Sequence, residues 1–168
     1  MSVRQGFSLL EVAIVLLIIS ILGFGLFYSI FNYTKQSKLE ESRRIISRVK
    51  KELVGYAISK KKLPQNLSNL GNPVDVWYKP INYIFAQNSQ TLDLCSNPKS
   101  SFLLLTLRKD GNVVTNDVIF FVFSTGENRI QDVNLTPTTI DVYSYGLNFD
   151  DVYEFVTFNY LKRIVCVQ

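Results

Sequence analysis

The chain contains no histidine and only two cysteines, and it has no glycine-rich phosphate loop. Without an imidazole, histidine-based nucleophile triads, histidine general bases and histidine metal ligands are all excluded. Two thiols with no imidazole also fall short of a structural zinc set. Charge is absent from a longer stretch, because between Gln5 and Thr34 only Glu11 carries one. A run of that length exceeds the about 20 apolar residues that an α-helix needs to cross a bilayer. A carboxylate within such a run costs roughly 2.5–3.5 kcal/mol on insertion scales, so it marks a function and calls for a partner. No basic residue lies inside the run. The partner must therefore be another molecule, interfacial water or a proton.

The 168 residues allow one domain of ordinary size in addition to the apolar helix. The net charge of +4 conceals an asymmetry. Residues 35–62 hold ten Lys/Arg against Glu40, Glu41 and Glu52, whereas residues 63–168 hold seven against ten acids. The basic character belongs to a stem and the acidic character to a head. A solvated helix face accounts for the stem most simply. Acidic protein surfaces or anionic lipid headgroups are the next candidates, and nucleic acid is disfavoured as a partner.

Periodicity gives the order of elements. One helix is expected from about Phe7 to about Lys60, on the order of 80 Å at 1.5 Å per residue. Its first half is apolar all round. From Leu39 it becomes amphipathic, with Ile46, Val49, Leu53 and Ala57 recurring at three- and four-residue spacing. That stripe needs a cover, and the downstream sheet is the candidate. Gly23 and Gly25 each weaken the apolar part by about 1 kcal/mol relative to alanine, or allow close helix packing. Leu63-Pro64 ends the helix, since proline disfavours helical geometry in the residue before it. Beyond Pro73 the pattern is β, with strands expected at 82–86, 102–107, 118–123, 139–145 and 152–158. Lys109-Asp110-Gly111-Asn112 forms a turn of the Asp-Gly type. The unbroken apolar run Val118 to Phe123 suits a central strand buried on both faces. Asp150-Asp151 reads as a strand start rather than an acid–base pair, and a short helix follows around 159–164.

Gly6-Phe7-Ser8-Leu9-Leu10-Glu11 resembles the cleavage and methylation signature of type IV prepilins and of the pseudopilins of type II secretion. The likeness comprises a short polar leader with Arg4, a glycine before the cut, a phenylalanine after it, a glutamate at the fifth mature position and an apolar helix. It implies that prepilin peptidase cleaves between Gly6 and Phe7 and methylates the new Phe7 amine. It also implies that Glu11 faces the Phe7 amine of a neighbouring subunit during assembly. A buried carboxylate beside a buried cation is tolerated far better than either alone. Asp75-Val76-Trp77-Tyr78-Lys79-Pro80 is similar to a pilin and pseudopilin segment in which a tryptophan and a proline brace the entry to the sheet. Here Val76 and Tyr78 stand where that segment has proline and glycine. Positive-inside charge bias would place the Lys35–Arg44 end in the cytoplasm. The resemblance implies the reverse, with the leader cytoplasmic and the C-terminal domain outside.

In an exported domain Cys95 and Cys166 most simply form one disulfide, worth roughly 4 kcal/mol in the chain-entropy model, with two buried free thiols as the alternative. No catalytic constellation is present and no cofactor is expected. Glu127, Asn128 and Asp132 share a polar loop and could offer oxygen ligands to calcium, although no EF-hand spacing is present. Phe24, Phe27, Tyr28 and Phe31 lie near one helical face, which packing explains.

The expected fold is α+β and pilin-like, a long N-terminal helix packed on a small antiparallel sheet. The expected parts are a leader at 1–6, a transmembrane or fibre-core helix at 7–31, an amphipathic helix at 32–62 and a β-rich periplasmic or extracellular domain at 63–168. The resemblance implies a non-enzymatic structural subunit, a minor pilin of a type IV pilus. Its partners would be prepilin peptidase, other pilin subunits, the inner membrane and its assembly platform. A type II secretion pseudopilin is the first alternative, and a single-pass membrane-anchored binding or sensor domain is the second.

Overall fold

The computed structural model describes residues 9–128, 130–143 and 151–166, with backbone alone at 24–29, 31 and 32. The architecture is α+β. Helix α1 (Leu9–Lys60) comes first, then strands β1 (Asn82–Phe85), β2 (Leu105–Lys109), β3 (Asn112–Ser124), β4 (Asn134–Leu135), β5 (Thr139–Val142) and β6 (Val152–Thr157), and finally α2 (Phe158–Cys166). The chain divides into two compact units, Met1–Lys38 and Leu39–Gln168.

In the second unit the α1 stripe finds its cover. Ile46, Val49, Leu53 and Ala57 are fully buried in one cluster with Ile119, Phe120 and Val122 of β3 and with Phe158, Leu161 and Val165 of α2. Each aliphatic side chain buried in this way contributes about 1.5–3 kcal/mol. Lys50 adds an ion pair from α1 to Glu154 of β6 at 2.8 Å. Both side chains remain partly exposed, so the pair is worth less than about 1 kcal/mol.

β3 is the spine of the sheet. It pairs antiparallel with β2 over 112–118, with β1 over 120–123 and with β6 over 118–124. One strand edge accepts one partner at a time, so β1 and β2 share one edge of β3 and β6 takes the other. Residues Val118–Phe123 are all essentially buried, as a two-faced central strand requires. Their sides alternate with one interruption. Ile119, Phe120 and Val122 face the helices, whereas Val118, Phe121 and Phe123 enter a second cluster with Leu105, Leu107, Val133, Ile140 and Val142. The register shift between Val118 and Phe120 supplies the extra residue that puts Ile119 and Phe120 on the same side.

The sheet is mixed rather than antiparallel. β5 runs parallel to β2, and β4 runs antiparallel to β5. β4, which periodicity over two residues cannot reveal, reverses into β5 through a turn closed by Thr136 N–H donating to Thr139 O at 2.9 Å. That added reversal sets β5 in the direction of β2. β2 begins at Leu105, three residues later than the pattern suggests, because Lys99–Ser101 forms a 3₁₀ turn and Leu103 makes only an isolated bridge to Gln87. The part of the expected strand 139–145 at 144–145 lies outside the described residues, as does Asp150.

Candidate functional site

The first unit presents Glu11 in the first described turn of α1. Glu11 is exposed, and so are Leu9, Leu10, Val12, Ile14, Val15, Leu16, Leu17, Ile18 and Ile19 around it. An apolar surface of this extent marks a protein or membrane contact. Ser20 keeps its hydroxyl satisfied by donating to Leu16 O at 2.8 Å, as a hydroxyl on an apolar helix should. A Cβ added at Gly23 would meet nothing within 4 Å. Gly6 and Phe7, the expected cleavage and methylation residues, lie outside the described residues. Among the described residues no helix is long and apolar enough to cross a membrane. The aromatics Phe24, Phe27, Tyr28 and Phe31 fall among the undescribed side chains.

In the second unit Cys95 and Cys166 form a disulfide with a Cα–Cα distance of 5.5 Å. Cys95 is carried by a turn built on Asp93, whose Oδ1 accepts from Cys95 N–H at 2.7 Å and Ser96 N–H at 2.9 Å. Those two backbone donors hold the Asp93 carboxyl below the usual carboxylate range. Cys166 ends α2. Two lysines, which no sequence pattern singles out, reinforce the same junction. Lys61 Nζ donates to Val165 O at the C-terminal end of α2, where a cation is favoured. Lys162 Nζ donates to Asn97 O at 3.0 Å and lies over the Phe158 ring. The end of α1 joins in, as Leu94 N–H donates to Lys61 O at 2.8 Å.

The expected calcium-ligand loop is organised around hydrogen bonds. Asn128 Oδ1 accepts from Ile130 N–H at 2.7 Å, and Asn128 Nδ2 donates to Asp132 Oδ2 at 3.3 Å. Buried Asp151 reaches the same loop, its Oδ2 accepting from Asp132 N–H and Val133 N–H at 2.9 and 3.1 Å. Glu127 is exposed at the start of the loop. No group of three or more Asp, Glu, Cys or His among the described residues could hold a metal ion.

The turn at 73–81 is braced by an aspartate. Asp75 is buried, and its Oδ1 accepts from Trp77 N–H at 2.9 Å and Lys79 N–H at 2.8 Å. Its Oδ2 accepts from Ser124 Oγ at 2.6 Å, and Val74 bridges Pro80. Between the two bridged amides sits Tyr78 with φ 59°. A bulky residue held in this left-handed region costs about 1–3 kcal/mol. The glycine that stands here in the similar pilin segment would adopt it without strain.

Residues 1–27 match the prokaryotic N-terminal methylation motif, the signature of type IV pilins and pseudopilins. No curated protein and no solved structure matches the chain.

Proposed function

We propose that this chain, which carries a pilin-type N-terminal methylation motif, is a structural subunit of a type IV pilus, with a pilin-like fold and a minor role in the fibre. The match over residues 1–27 carries the reading, with Glu11 in a helical segment whose apolar side chains from Leu9 to Leu22 are exposed. Prepilin peptidase removes residues 1–6 and methylates Phe7. The segment 7–31 holds the subunit in the inner membrane, with the leader in the cytoplasm and 63–168 outside. The assembly platform then passes the helix into a fibre, where Glu11 neutralises the Phe7 amine of the next subunit. Such a subunit is structural and performs no catalysis. The disulfide supports an exported head, and a cysteine pair reaching the C-terminus is similar to the disulfide-bounded end of many pilins.

The Trp77 segment favours a second reading, a pseudopilin of a type II secretion system, which uses the same processing and assembly steps. Mass spectrometry of the mature N-terminus tests both. A chain starting at N-methylated Phe7 is expected, and one starting at Met1 or after Gly25 overturns them. Recovery in sheared surface fibres, as opposed to retention in the periplasm, then separates pilus from pseudopilus.

A further inference from the structure

Tyr78 combines properties that packing within the chain does not explain. The residue is 87% exposed, and its backbone has φ 59°. Three hydrogen bonds to Asp75 hold the turn around it, from Trp77 N–H, Lys79 N–H and Ser124 Oγ. The other described non-glycine residues with positive φ have ordinary reasons for it: Lys61 follows the end of α1, and Asn72, Asn88 and Asp110 are residue types that tolerate the conformation. Tyr78 accepts strain and recovers almost no burial for it. A strained residue that its surroundings over-determine is a mark of a functional position. Exposed Val74 and Pro80, bridged beneath the turn, extend its apolar surface.

The same unit carries a surface suited to that ring. Arg44, Arg48 and Lys51 are exposed at spacings of four and three residues, on the α1 face away from the buried stripe. Arg48 has a loose pair with Glu52 at 3.9 Å and remains 66% exposed. A guanidinium stacks on the face of a tyrosine ring through cation–π attraction. The excess of basic residues over 35–62 and of acidic residues over 63–168 also favours stem against head.

We propose that Tyr78 anchors a contact with a second copy of this chain, its ring stacked on the Arg44–Arg48–Lys51 face of the neighbour's stem. The inference rests on the fibre reading, and it requires copies of this subunit to lie side by side even where the subunit is a minor component. The contact joins two different surfaces, so it is heterologous and propagates as an open helix when the rotation does not close. The like charge of Lys79, beside the ring, works against the contact, so Lys79→Glu should strengthen it.

The test uses the full chain in membranes. Copies carrying Val74→Cys are co-expressed with copies carrying Glu52→Cys and oxidised, which keeps the Tyr78 ring and the Arg48 guanidinium in place. The expected product is a dimer linked between positions 74 and 52, in yield roughly tenfold above a Val74→Cys with Lys109→Cys control, the scale of an anchoring contact. Tyr78→Phe should keep fibre incorporation. Tyr78→Gly should lower it while leaving the melting temperature equal or higher. Normal incorporation of Tyr78→Gly, or a dominant position-74 adduct with a different protein, overturns the proposal. A trimmed, methylated chain without the 74–52 product removes the contact and keeps the fibre reading. An untrimmed chain that gives the product removes the fibre reading and keeps the contact, and an untrimmed chain without it removes both.

Discussion

Ser124 Oγ donates a 2.6 Å hydrogen bond to Asp75 Oδ2, fastening the 73–81 turn to the end of the central strand 49 residues away in sequence. Ser124 Oγ also accepts from Gly126 N–H at 3.2 Å, so one hydroxyl serves two turns. Both residues are buried, which makes every donor around them dependent on the other partner.

Asp75→Ala should therefore destabilise the second unit by about 2–4 kcal/mol, since it strands Trp77 N–H, Lys79 N–H and the Ser124 hydroxyl. Asp75→Asn should lose less, because its carbonyl oxygen still accepts both amides. Trp77 is the single tryptophan, so its fluorescence during denaturant unfolding in detergent reads this turn directly. Equal midpoints for Ala and wild type would refute the bracing role.

Removing the disulfide by Cys95→Ser with Cys166→Ser should cost about 2–4 kcal/mol, as expected for a cross-link over a sequence separation of 71. The fold should persist, because Phe158, Leu161 and Val165 stay buried and Lys61 and Lys162 still hold α2. Circular dichroism of the double variant checks this. Loss of the native spectrum at ambient temperature would show that α2 depends on the bond.

Asp93 gives a pH dependence with a definite sign. Its folded pKa lies below the unfolded value because the Ser96 and Cys95 amides, in that order, stabilise the carboxylate. Such a group contributes stability above its unfolded pKa of about 4 and loses it as pH falls through the lower folded value. Hydrogen exchange at Cys95 and Ser96 should thus gain relative to the rest of the second unit under acid, and Asp93→Asn should flatten that profile. An Asn variant with the wild-type acid response would assign the effect elsewhere.

Glu11→Ala should still be trimmed after Gly6 but fail to enter fibres, because the apolar helix survives and the intersubunit charge partner is lost. Gly6→Val should leave the precursor uncut. Sheared-fibre content and N-terminal mass together report both. Normal incorporation of the Glu11 variant would end the pairing proposal.

What was legible in the sequence was local. The Ile46–Val49–Leu53–Ala57 stripe, the Val118–Phe123 strand and the Asp110-Gly111 turn all follow from short-range spacing, and each has the expected structure. The N-terminal signature was legible by resemblance, and residues 1–27 match the methylation motif. The Cys95–Cys166 pair followed from count and setting. Tertiary structure decided the rest. The parallel β2–β5 pairing depends on the path of the whole chain, and β4 is too short to show a period. The aspartate that braces the Trp77 turn, the lysines that hold α2 and the left-handed backbone of Tyr78 each depend on partners far along the chain or on geometry around a single residue. Side-chain periodicity records which face of an element is buried. It carries no information about which distant donor meets a given acceptor, and that meeting built the head.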